Sequence, residues 1–191
     1  MKQIIIFLTF TVLVIGQVFA QTVNVTDSPR PFTVVPPTSW VQQPTSTGNS
    51  RIKFVAPSGT PYAECTVIVQ EYPVAKDIPQ SPLDKGMLEG LDSSEISAQL
   101  SSIYNNVKIF SVGVADFSGH PAQLVNFQYS VGTPTGEVWT RGITVTAATT
   151  PGLIWIVSCG ALGKSAAEAQ KGYWYWQLEI AKFSTNIKIG Q

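Results

Sequence analysis

Charge is scarce in this chain. Asp, Glu, Lys and Arg make up 13% of 191 residues, twelve acidic and twelve basic, for a formal net charge of zero. A nucleic-acid-binding face needs clustered Lys and Arg, and electrostatic docking on an anionic membrane needs a basic run. Neither the balance nor the order of charges supplies them, so no nucleic-acid partner is expected. Histidine occurs once, at His120, and cysteine twice. One His and two Cys cannot complete a zinc site, and the scattered acids show no calcium-loop spacing. No metal or cofactor is expected. His120 lies in Ser118-Gly119-His120-Pro121 and is the one side chain that titrates near neutrality. As a general base it would need a nucleophile and an orienting acid, and Asp116 stands two positions earlier. Polar turns hold such pairs by chance, so no catalytic residue is assigned.

Long apolar runs are also few, with one exception. Ile4 to Ile15 is almost unbroken, follows Met1-Lys2, and leads into Val18-Phe19-Ala20 and then Gln21. That is the pattern of a secretory signal peptide, residues 1–20, cleaved between Ala20 and Gln21. It is too short for a transmembrane helix, and no Cys follows it for lipid attachment. The mature chain is therefore expected in a bacterial periplasm or secreted, without a stable membrane anchor. Its composition fits one domain with a sizeable core. In an exported chain the even cysteine count is best read as a Cys65–Cys159 disulfide. It would close a long loop and stabilise by roughly 4 to 5 kcal/mol.

Residues 21–38, rich in Thr, Val and Pro, read as an extended leader, poorly ordered unless tied down. A single α+β domain is expected over 39–191. It opens with short strands at Trp40–Gln43 and Arg51–Val55 and a nearly continuous β-branched strand at Glu64–Tyr72. Helical signals span 82–104. Ser81-Pro82 reads as one start and Asp92-Ser93-Ser94-Glu95 as another, with Ile96, Leu100, Ile103 and Tyr104 on one face. Four strands follow between Val107 and Cys159, separated by Gly/Pro connections whose brevity requires antiparallel neighbours. Val125, Phe127, Tyr129 and Val131 alternate with Leu124, Asn126, Gln128 and Ser130, and Arg141 shares a face with Trp139, Ile143 and Val145. The last strand, Leu153–Val157, is apolar on both sides and so needs cover on both. A long helix closes the chain, capped by Ser165 with Glu168, and buries Tyr173, Trp176, Ile180 and Phe183.

Ser158-Cys159-Gly160-Ala161-Leu162-Gly163-Lys164-Ser165 ends like a phosphate-binding loop, yet Ser158 stands where that loop has Gly. A turn made by Gly160 and Gly163 before a Ser165 cap accounts for it. In Tyr173-Trp174-Tyr175-Trp176, the first and last residues belong to the core face, while Trp174 and Tyr175 lie nearer the flanks as possible ligand or partner contacts.

The element order is short strands, helical insert, four-strand meander and long terminal helix. With Pro36-Pro37-Thr38-Ser39-Trp40 ahead of it, this resembles the PsbP/Mog1-like superfamily. The resemblance implies an antiparallel sheet of six to seven strands covered by helices, in a small exported α-β-α sandwich that binds ligands or partners and is not an enzyme. No functional residues carry over from it. Three readings follow: a non-enzymatic domain that binds a partner protein or assists an envelope complex; a small-ligand carrier with a pocket between sheet and C-terminal helix; and a hydrolase using His120.

Overall fold

A computed structural model describes residues 21–45, 48–89, 92–132 and 136–190. The expected signal peptide, with its cleavage point after Ala20, lies outside the described residues. In chain order the elements are β1 (Val23–Val25), β2 (Phe32–Val34), β3 (Val41–Gln43), β4 (Ser50–Val55), β5 (Ala63–Glu71), a single 3-10 turn (Pro73–Ala75), α1 (Gln80–Leu88), α2 (Ser93–Ile103), β6 (Asn105–Phe117), β7 (His120–Gly132), β8 (Val138–Thr150), β9 (Leu153–Gly163), α3 (Ala166–Thr185) and β10 (Ile187–Ile189).

The fold is α+β. A seven-stranded antiparallel sheet has the order β3-β4-β5-β9-β8-β7-β6, and a three-stranded sheet the order β1-β2-β10. The meander β6 to β9 closes on tight turns that need left-handed backbone, at Ser118 and Gly119 (φ 57° and 86°) and at Gly152 (φ 75°). Asp116 Oδ1 accepts the Gly119 N–H at 3.2 Å and fixes the first of these turns.

Strand register sorts the large sheet into two faces. One carries Phe54, Cys65, Val67, Trp155, Val157, Cys159 and Ala161, all buried. α3 packs on it, through Trp176, Ile180 and Phe183, and so does the small sheet. Phe54 meets Phe183 and Phe32 meets Trp155, both edge to face, with centroids 5.8 and 5.6 Å apart. Cys65 and Cys159 stand directly opposite each other on β5 and β9 and are joined by a disulfide, their Cα atoms 4.1 Å apart. The other face carries a smaller cluster, in which Leu100 and Tyr104 at the end of α2 pack over Phe127, Tyr129 and Ile143. The expected cover on both sides of β9 is met on one: Leu153, Trp155 and Val157 are buried under α3 and the small sheet, while Ile154 and Ile156 on the other face stay half-buried.

The structure differs from the sequence reading in four further places. The leader 21–38 is tied down: Val25, Phe32 and Val34 are buried, and β2 is held between β1 and β10. α1 starts at Gln80 and not behind a Ser81 cap; Pro79 precedes it without a side-chain cap. Ile103, the last residue of α2, turns outward and is 70% exposed. Gly160 and Gly163 are not a turn but part of β9. A Cβ at Gly160 would meet the Gly142 carbonyl at 2.5 Å, and one at Gly163 would meet the Ala169 nitrogen at 2.4 Å. Both glycines allow close approach of backbone, and the resemblance to a phosphate loop disappears with the turn.

Candidate functional site

α3 covers only part of its face. Its axis lies over β5, β9 and β8, and beyond it the same face continues across β7 to the edge strand β6. Between the helix and these strands runs a groove in two sections. The first, about 320 Å³, is lined by Phe110, Ser111, Asn126, Gln128, Tyr173 and Trp174 among others. The second, about 230 Å³, continues along Leu124, Thr146, Gln177, Ala181 and Ser184. Tyr173 lines both sections. Its hydroxyl is hydrogen-bonded to Thr144 Oγ1, which donates to Asn126 Oδ1 at 2.6 Å, and Asn126 Nδ2 donates to Ser111 Oγ at 2.7 Å. This chain of four polar side chains crosses the floor from helix to edge strand, each member orienting the next.

The banks are aromatic. Trp174, 60% exposed, stands on the helix side and Phe110, 52% exposed, on the strand side. A β-bulge places Phe110: Ile109 pairs with Phe127 and Ser111 with Asn126, so Phe110 is the extra residue. Ile109 stays with the opposite-face cluster while Phe110 is re-aimed into the groove. Lys108 Nζ sits 5.4 Å from the centre of its ring. Tyr175 and Leu178, 62% and 71% exposed, extend the apolar surface along α3. The sequence singles out Trp174 and Tyr175, and of these only Trp174 borders the groove. Phe110 escapes sequence reading because a bulge leaves no signature beyond a broken alternation. The floor chain escapes because its members come from four separate elements.

His120 pairs with an acid other than the expected one. Its Nδ1 lies 3.4 Å from Asp84 Oδ1 on α1, and that carboxylate also accepts from Gln80 Nε2 at 2.7 Å. Asp116 is occupied with the turn, and the Ser118 hydroxyl accepts the Ile189 N–H at 3.0 Å. Among the described residues no nucleophile is hydrogen-bonded to the imidazole, and these contacts hold α1 and β10 against the hairpin.

On the opposite face the structure brings together residues that the sequence leaves scattered. Glu64 is buried, yet it accepts from Lys53 Nζ at 2.6 Å, Arg141 Nη2 at 2.5 Å and the Tyr62 hydroxyl at 2.6 Å. Glu64 on β5 and Arg141 on β8 reach each other over β9, where Gly160 presents no side chain between them. Burial alone would raise the Glu64 pKa; Arg141 foremost, then Lys53 and Tyr62, outweigh it and hold the carboxyl down at about 2. Burial and the neighbouring carboxylate push the Tyr62 phenol up. One sequence signal could have pointed here: a lone Arg141 among Trp139, Ile143 and Val145 on a strand face demands a partner.

This cluster carries a pH prediction. The folded pKa of Glu64 lies below its ordinary value of 4.5, so the stability it adds is fully present above about pH 4.5 and is lost as pH falls toward 2. The difference corresponds to about 3 kcal/mol. Urea titrations of the wild type and Glu64→Gln at neutral pH and near pH 2 are expected to show the wild-type advantage shrinking by that amount. A gap independent of pH would refute it.

Among the described residues no group of three or more His, Cys, Asp or Glu is placed to hold a metal ion, and no helix is long and apolar enough to cross a membrane. No family model matches the chain, and no curated protein matches it. Solved structures do. The solution structure of cyanobacterial PsbP (CyanoP) from Synechocystis sp. PCC 6803 matches over 92% of this chain and 96% of its own, with 12% sequence identity and a TM-score of 0.53. LpqN, involved in cell envelope biogenesis of Mycobacterium tuberculosis, matches over 90% of this chain and 91% of its own, with 13% identity and a TM-score of 0.52. At such identity the likeness is one of fold.

Proposed function

We propose that this chain, which has the PsbP-like fold, is an exported, non-catalytic domain that binds a partner protein of an envelope assembly through the groove between α3 and β6–β7. The observation that carries the reading is the pair of exposed aromatic banks, Trp174 and Phe110, on either side of an ordered polar floor. Exposed aromatics around an anchoring groove are what protein partners bury as hot spots. The LpqN relation to envelope biogenesis supports the setting. A signal-like start and a buried disulfide support export.

A small-ligand carrier would use the same groove, but such sites enclose most of the ligand surface. Here both banks stand more than half exposed, which favours a partner that brings its own cover. Docking by side chains is favoured over addition of a strand to β6. Two bulges and Lys108 interrupt the first half of that edge, the usual protection of an edge strand.

The test places a photo-crosslinking residue at Trp174, at Phe110 or at Val74, an exposed apolar site on the 3-10 turn, in the exported protein. Capture of one and the same protein from 174 and 110, but not from 74, is the expected result. Trp174→Ala should then weaken that complex by about 2 kcal/mol, the scale of an interface anchor. Its melting midpoint should barely change, as befits a surface substitution. Equal capture from all three positions, or a bound small molecule retained in native mass spectrometry, would overturn the reading.

A further inference from the structure

We infer that the face opposite α3 carries a second, independent site, in which Lys53 and Arg141 hold the carboxylate of a small organic acid. Both cations pair with Glu64, the one carboxylate bonded to either among the described residues. Two positive charges on one negative charge leave one in excess. Their side chains are only about a quarter exposed, 25% for Lys53 and 23% for Arg141, so bulk water screens that excess poorly. The second cation shares Glu64 with the first and leaves the cluster one positive charge over, a half-buried charge whose desolvation an anionic occupant would offset.

The excess charge faces a pocket of about 220 Å³. Thr66 and Ser158, opposite each other on β5 and β9, bring hydroxyls to its lining. Tyr104 and Tyr129, with ring centres 4.2 Å apart, form an aromatic wall. Cations, hydroxyls and an aromatic wall suit an oxyanion with an apolar body. Charge selects the class: a carboxylate carries one negative charge and brings the cluster to neutrality. A phosphate monoester carries nearly two and would overshoot. The pocket is smaller than drug-sized sites, which limits the occupant to a small acid.

The experiment titrates the folded protein at low salt with benzoate, with benzamide as its neutral isostere and phenyl phosphate as the doubly charged one, read by amide NMR shifts and thermal midpoint. Benzoate is expected to shift the Thr66 and Ser158 amides and raise the midpoint, while benzamide does neither. Lys53→Met should weaken benzoate by about tenfold, the effect of deleting one close charge partner. Glu64→Gln, which frees both cations, should tighten it. Binding to the wild type, weakened in Lys53→Met, separates the site from a structural role, which predicts no benzoate binding while Glu64 holds both cations. Should Glu64→Gln not fold, Lys53→Met against wild type decides alone. Absence of benzoate shifts, equal response to benzamide, or tighter binding of phenyl phosphate would each overturn the assignment.

Discussion

A chain ending at Gly172 is expected not to fold. The cut removes most of α3, from Tyr173 to Thr185, and all of β10. With them go Trp176, Ile180, Phe183 and Ile187, each buried in the core shared by both sheets. At roughly 1.5 to 3 kcal/mol per side chain, the four amount to most or all of the net stability of an ordinary domain. The loss is also more than local. Trp176 stacks edge to face on Trp40 and donates its Nε1–H to the Pro61 carbonyl at 2.8 Å, so it fixes the chain where it enters β3 and where it enters β5. β10 supplies one of the two neighbours of β2, and without it the segment from Phe32 to Val34 has only the three residues of β1 to pair with. Far-UV circular dichroism of the truncated chain should show no cooperative thermal or urea transition. Phe183→Ala in the full chain should keep the transition at a cost of about 3 to 5 kcal/mol. A soluble truncated chain that melts cooperatively would refute the central place given to α3.

That place is legible in the sequence because helical periodicity is a local signal: Ala169, Trp176, Ile180 and Phe183 recur at the spacing that one buried face requires, and Ser165 caps the start by accepting the Glu168 N–H. The meander is legible for the same reason, since period-two alternation and Gly turns act over a few residues. What escaped reading is what depends on register between distant strands. Gly160 looks like a turn glycine until β8 is laid beside it, when the need is clearance from the Gly142 carbonyl. Phe110 looks like one more strand residue until the bulge turns it into the groove. Glu64, Lys53 and Arg141 carry no mutual spacing at all and meet only because β9 inserts between β5 and β8. What ties the leader down was not legible because three-residue strands such as β1 and β2 owe their order to their neighbours and not to propensity.

Removing the disulfide is expected to cost about 4 kcal/mol and to lower the thermal midpoint by roughly 8 to 16 °C for a domain of this size. Cys65 and Cys159 are 94 positions apart. In the unfolded chain the bond therefore closes a loop spanning α1, α2 and three strands of the meander, and chain-entropy arguments assign long loops the larger effects. The bond also joins β5 to β9, the pair through which β3–β5 attaches to the meander. Its loss should thus weaken the sheet at the seam between its two halves. Comparison of oxidised and reduced wild type, with Cys65→Ala/Cys159→Ala as a third sample, checks the figure; equal midpoints in all three would refute it. The bond and the helix are further expected to protect one another. Both sulfurs belong to residues with no exposed surface, on the face that α3 covers. A thiolate can attack only when that cover opens. Reduction of the native protein should therefore be slow, and sub-denaturing urea or Phe183→Ala should speed it by loosening α3. If reduction is as fast in the native protein as in urea, the disulfide opens without the helix, and the seam is held by the strand ladder alone.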